Sequence, residues 1–418
     1  MKVMFSALTV MIGLAGAGGP EAEAPGPAAT PAERRIAEAR QRIEKSRDDA
    51  AGHVELAMAL ARRARETSDP GFYAQAEAAI ARALELRRDD FEAQKARAWV
   101  LLGQHRFAEA RALAEALNKR VPDDVMVYGL LTDANVELGD YAHAEEACQW
   151  MLNLRPGNIP ALTRAAYLRE LFGDLEGARE LMAEALDATP GGEAEERAWI
   201  LTQMAHLDRV AGRSAEAEAL AVQAVAAFPG YHYALAQLAR VRLAQGRPAE
   251  AVSFLRQRYQ AAPHPENLYE LASALERAGR QTEARAAFAD FEKQALRETE
   301  GADNANRELV FYYADHAGRP DEALAVARRE VARRSDVHTL DAYAWALYRS
   351  GRFAEARGPM EMALAVGVRE ADILYHAGLI AAKLGDRAAA SDRLRRSLAL
   401  DPASALAAPA RRALARVR

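Results

Sequence analysis

One motif recurs along this chain at a spacing of 34 residues. Its clearest copy is Leu138-Gly139-Asp140-Tyr141-Ala142-His143-Ala144, followed by Cys148, Met151 and Pro156. Glycine at the end of a periodic apolar segment marks a helix C-terminus, because it adopts the left-handed conformation without steric cost. Proline near the unit's end removes an N–H and stops the second helix. The alanine between them sits where two helices touch, and its copies are Ala76, Ala110, Ala144, Ala178, Ala217, Ala251, Ala284, Ala323, Ala356 and Ala390. Ten helix-turn-helix units result. No single unit can bury its apolar face alone, so the units must stack into a solenoid.

The length of 418 residues therefore does not imply several separate cores. Units two to four, 91–124, 125–158 and 159–192, keep the period, with Pro122, Pro156 and Pro190 in equivalent places. Unit two has His105 where the others have glycine and carries Gly103 two residues earlier, so its turn is expected to be reshaped. The first unit, 53–90, has Thr67, Ser68, Asp69, Pro70 and Gly71 between its helices, which reads as a lengthened loop. Five residues are inserted at 193–197 and five at 299–303. Extra residues between stacked units weaken the neighbour interface, and these two breaks are expected to be hinges.

Helical repeats of 34 residues with this turn, alanine and proline pattern resemble the tetratricopeptide repeat (TPR) family. The resemblance implies an all-α, right-handed superhelical solenoid of about 22 helices with terminal caps and no sheet. The organisation expected is a signal peptide at 1–17, a flexible linker at 18–31, an N-terminal capping helix at 32–52, repeats one to seven at 53–298, repeats eight to ten at 304–404 and a C-terminal capping helix at 405–418. The signal reading rests on Met1-Lys2, an uncharged run to Gly19 and the small-x-small site Ala15-Gly16-Ala17. The run is short and glycine-rich for a membrane span. No cysteine follows it to accept a lipid. A periplasmic or secreted location is expected, or membrane attachment if the segment is retained.

The family holds extended partner segments on the concave side lined by its first helices. Counted within each aligned unit, the family's groove-facing places hold Trp99, Tyr167, Trp199, Tyr233, Tyr269, Tyr312, Trp345, Tyr348 and Tyr375. These are nine of the chain's 17 tryptophans and tyrosines, against about one or two from composition alone, and such amphipathic rings dominate binding hot spots. Charges at the same places are mixed: Lys95, Arg209, Arg240 and Arg349 among Glu92, Asp133, Glu170, Glu276, Glu308, Asp315, Asp341 and Asp372. Each reads as a solvated site. The lysine and asparagine set with which some relatives clamp a C-terminal carboxylate is missing.

A net charge of −5 argues against a nucleic-acid partner, and the arginines, 49 against 6 lysines, interleave with glutamates at helical spacing. The nine histidines are scattered without metal-ligand spacing, and the one cysteine, Cys148, sits at a helix-facing position, so no metal, cofactor or disulfide is expected. There is no nucleophile elbow or phosphate-cradling glycine loop, and acid pairs such as Glu145-Glu146 or Glu195-Glu196 are expected on exposed helices that would not tune a pKa. The expected function is a noncatalytic, exported scaffold or adaptor binding a protein segment in an aromatic groove. The alternatives are a carbohydrate-polymer-binding component of an envelope export or assembly system, and a cytosolic adaptor should the N-terminus not be a signal.

Overall fold

The computed structural model describes residues 30–301 and 304–417; the expected signal peptide and almost all of the linker lie outside them. Among the described residues there are 22 α-helices and no strand. A capping helix α1 (Pro31–Lys45) precedes ten antiparallel pairs. These are α2 (Ala50–Thr67) with α3 (Gly71–Leu86), α4 (Phe91–Gly103) with α5 (Phe107–Arg120), α6 (Val125–Glu137) with α7 (Tyr141–Leu154), and α8 (Ile159–Leu171) with α9 (Leu175–Ala188). The middle units are α10 (Ala194–Val210) with α11 (Ser214–Ala227), α12 (His232–Ala244) with α13 (Pro248–Ala261), and α14 (Pro265–Arg277) with α15 (Gln281–Glu298). The last are α16 (Asn306–Phe311) with α17 (Pro320–Val331), α18 (Val337–Arg349) with α19 (Phe353–Ala365), and α20 (Ala371–Lys383) with α21 (Arg387–Leu400), before the closing helix α22 (Ala407–Val417).

Local chemistry starts and stops these helices. Asp90, Asp124 and Asn158 each accept a hydrogen bond from the backbone N–H three residues on, at 2.9, 3.0 and 2.9 Å, capping α4, α6 and α8; such a cap contributes about 1 kcal/mol. The recurrent alanines are the closest helix contacts: nine of the ten are fully buried and Ala284 is 2% exposed. Cys148 is buried behind them, and burial pushes its thiol up to about 11.

Two irregularities of the sequence come out differently from expectation, and both are spent in helix length. The first inter-helix turn is not long: the extra residues extend α2 to 18 residues, against 13 in α4 or α6, and Ser68 takes the left-handed role at φ +52°. The insertion at 193–197 is not a loose hinge. It starts α10 a turn early, making it 17 residues long. The insertion at 299–303 follows a lengthened α15, and Arg333 binds the carbonyls of Gly301 and, at 2.9 Å, Glu300. The turn of unit two keeps the common geometry, since His105 itself adopts φ +58° and its ring stacks on Phe107 at 5.4 Å. Gly103 is needed for another reason: a Cβ there would fall 2.4 Å from the ring of Tyr73.

Unit eight carries a departure with no counterpart in the repeat. From Tyr312 to His316 the helix is wound as a π-turn, with Ala317 N–H donating to the Tyr312 carbonyl at 2.9 Å. One extra residue in a turn rotates the residues beyond it by about 100° relative to the repeat frame.

The array coils tightly enough for successive turns to touch. The extended end of α2 meets the early start of α10: Arg65 is hydrogen-bonded to the fully buried Glu195, Arg62 lies 2.8 Å from Glu193, and Tyr231 donates to Glu195 at 3.0 Å. Further along, Ser335 N–H donates to the Glu137 carbonyl at 3.0 Å, and Val337 N–H donates to the Tyr141 hydroxyl at 3.0 Å. Gly173 approaches Gly367 so closely that a Cβ on Gly173 would lie 2.8 Å from its carbonyl oxygen.

Candidate binding cavity inside the coil

The coiling forms a half-open cavity of about 860 Å³ at the N-terminal end. Its wall is drawn from α1, α2, α4, α6, α10, α12 and the starts of α3 and α14, so first helices of six of the first seven units face one space. Apolar lining comes from Val54, Met58 and Leu102 with the rings of Tyr73, Trp99 and Tyr233. Pockets of this size that mix apolar walls with a few polar groups are the usual form of a ligand site.

Of the nine aromatics picked from the sequence, Trp99 and Tyr233 reach this cavity. Tyr167 is the most open, 38% exposed, beside a narrow gap between turns bordered by Glu170, His338 and Glu370. Trp199 is half-buried against the apolar interiors of units four to six. Tyr269 packs on Phe288 and Phe291 of α15, with centroids at 5.9 and 5.3 Å. Tyr312, the first residue of the π-turn, also faces α15, where its hydroxyl donates to Glu292 at 3.3 Å. Trp345 and Tyr375 are 4% and 7% exposed. Trp345 stacks on Tyr348 at 5.0 Å and on His376 at 4.1 Å, and its Nε1–H donates to Asp315 at 3.0 Å. The nine rings are thus not one continuous row.

Most of the inward-facing charges are not solvated singly but paired from one first helix to the next. Arg164 clamps Asp133 with Nε at 2.8 Å, His206 bonds Glu170, and Asp341 holds the His376 Nδ1 at 2.9 Å. Arg240 and Arg258 both bind Glu270, and despite its burial the two guanidiniums hold that carboxyl down at about 2. Arg349 binds Asp315 in the same manner. The signal that could have revealed this ladder is spacing: the partners lie 30 to 36 residues apart, one repeat period.

The clasp beside the cavity contains His232, 1% exposed, whose Nε2–H donates to the Arg65 carbonyl at 3.1 Å. Burial pushes this imidazole down to about 4. Sequence reasoning missed His232 and placed Glu195 on an exposed helix; Glu195 is instead fully buried, because the coil brings unit one beside units five and six and Arg65 and Tyr231 close over it. Among the described residues no group of histidine, cysteine and carboxylates is arranged to hold a metal, and no helix is long and apolar enough to cross a membrane.

A tetratricopeptide-repeat family model matches residues 95–159, 202–264 and 238–296, and a second matches 371–404. No curated protein matches the chain in sequence. Among solved structures, the human IFIT1 dimer with m7Gppp-AAAA is similar at 14% identity and a TM-score of 0.51, covering 87% of this chain and 85% of that one. A monomeric IFIT1 mutant with Gppp-AAAA is similar at 13% identity and a TM-score of 0.51, covering 88% and 95%. The type IV pilus biogenesis factor PilW matches at 16% identity over 49% of this chain and 92% of its own, with a TM-score of 0.40. At these identities the likeness is one of fold.

Proposed function

Because this chain belongs to the tetratricopeptide-repeat family, we propose that it is a noncatalytic scaffold that holds a segment of a partner protein inside its coil. One observation carries the reading: first helices of six units converge on a single cavity of about 860 Å³ with Trp99, Tyr73 and Tyr233 in its wall. Rigid rings with a polar edge supply contact area at little entropic cost. The walls are mainly first helices held by stacked neighbours, so the site is preorganised and binding loses little to ordering.

A polyanion such as the one carried by the IFIT1 structures suits this cavity poorly. Its lining holds the carboxylates of Glu38, Glu55, Asp69, Asp133, Glu196 and Glu266 against the guanidiniums of Arg35, Arg62 and Arg65. Those arginines are engaged by Glu193 and Glu195 in the clasp. The N-terminal run at 1–17 supports export, and the partner is then a component of the envelope or the exterior; N-terminal sequencing of the mature protein should return a start near Gly18, and an intact Met1 in a cytoplasmic fraction would refute export.

The test of the scaffold role is site-specific photo-crosslinking in the source cell. A crosslinker at Trp99 or Tyr233 should capture a discrete protein, whereas one at Trp150, exposed on the second helix of unit three, should not. Equal capture from all three positions would dismiss the cavity as the site, and capture of glycan alone would favour a carbohydrate-binding role.

A further inference from the structure

We infer that the cavity is a cation subsite, one that takes the lysine or arginine side chain of a partner segment. The inference rests on the scaffold reading above and adds the chemistry of what is bound. Its ground is an accounting of the six carboxylates. Glu55 is bridged to Arg42, Asp133 to Arg164, and Glu266 lies 3.6 Å from Arg258. Asp69 caps α3 through the Gly71 N–H at 2.8 Å. Glu38 and Glu196 remain, with no ion pair or hydrogen bond to any described residue, and both line the cavity. Burial lifts the Glu196 carboxyl above the ordinary range, opposed by the charge of Arg62. Glu38 is exposed, whereas Glu196 is half-buried, and a half-buried, unpaired carboxylate carries a desolvation cost that an incoming cation relieves.

The aromatic walls fit the same occupant. A guanidinium or ammonium over a tyrosine or tryptophan face gains cation–π attraction, most when water is excluded. Met58, Val54 and Leu102 offer apolar surface to the methylenes of a long basic side chain. Of the cavity's own cations, Arg62 and Arg65 are bound into the clasp by Glu193 and Glu195 and make no ion pair with Glu38 or Glu196. That clasp also joins adjacent turns beside the cavity, so on this side a segment enters along the coil axis and not between turns.

The test is selection of random 12-residue peptides displayed on phage against the full chain, followed by calorimetry with the best peptide as a synthetic, end-capped probe. The expected outcome is an enriched lysine or arginine flanked by apolar residues. Replacing it by norleucine should weaken binding about tenfold or more, and Glu196→Gln combined with Glu38→Gln should abolish the preference. Both substitutions are isosteric, and the lysine-to-norleucine comparison needs no variant of the protein. Peptides that need Trp99 and Tyr233 yet bind equally with norleucine would overturn the cation subsite and leave the scaffold reading standing. Failure to enrich any peptide that depends on those two rings would overturn both.

Discussion

The contact between turns can be tested with two glycines that share a backbone conformation and differ only in what lies beyond them. Gly139 and Gly351 both have φ +75°, so alanine at either incurs the left-handed cost of about 1–2 kcal/mol, which cancels in the comparison. At Gly351 an added Cβ meets nothing within 4 Å. At Gly139 it would lie 2.6 Å from the carbonyl oxygen of Ser335, a backbone atom that can yield only if the turns part. Overpacking of that kind costs about 1–3 kcal/mol. Loss of the neighbouring hydrogen bond from Ser335 N–H to the Glu137 carbonyl adds about 1 kcal/mol. Gly139→Ala should therefore be about 2–4 kcal/mol more destabilising than Gly351→Ala. A second matched pair is Gly173, φ +83° with the Gly367 carbonyl 2.8 Å away, against Gly212, φ +81° and open. Urea denaturation followed by circular dichroism gives the stabilities. Small-angle scattering gives an independent readout, since parted turns enlarge the radius of gyration only in Gly139→Ala and Gly173→Ala. Equal destabilisation within about 0.5 kcal/mol in both pairs, the usual scatter for independent sites, would refute turn-to-turn contact.

His105→Gly should raise stability by about 0.5–1 kcal/mol, since the left-handed cost it removes outweighs the ring contacts it loses, the stack on Phe107 among them; thermal melting checks it. Trp345→Ala should cost about 3–5 kcal/mol because the ring is 4% exposed between α18 and α20, while Tyr348→Ala, half-buried, should cost clearly less in the same denaturation series. The clasp should weaken in acid. His232 titrates near 6.5 when unfolded and about 4 when folded, so its contribution is intact above pH 6.5, falls by about 2 kcal/mol by pH 5 and is gone below pH 4. Melting temperatures across that range should fall more steeply for the native chain than for His232→Gln, and identical slopes would remove His232 as the cause.

The repeat frame was legible because every part of it is local. A glycine that ends a helix, an aspartate that caps one and an alanine at a helix crossing act within 34 residues, and Ala76 through Ala390 fell into place. What sequence reasoning could not supply was the accumulated rotation from unit to unit. Counting positions within a unit assumes one frame throughout, and the π-turn at Tyr312 and the longer helices α2 and α10 break it. Trp345 and Tyr375 satisfied the count and are nonetheless packed between neighbouring helices, because an aromatic placed at a groove position can lie along the wall instead of projecting from it. Glu195 and Arg65 carried a usable signal: charges at the ends of the two overlong first helices, set where the repeat has no need of them.

The hydrogen bond between Ser335 and Glu137 links residues almost two hundred positions apart, and this bears on how the chain acquires its structure. An open solenoid grows by adding each unit to the last, with short-range contacts throughout and a fast, nearly sequential route. Here the sixth unit emerging from the ribosome finds the first already waiting, whereas the third stays incomplete until the ninth is made. Ring-like closure late in synthesis couples distant units into one cooperative transition. Removing units eight to ten should then expose the end of α6, far away in sequence, to proteolysis before it disturbs unit seven next door.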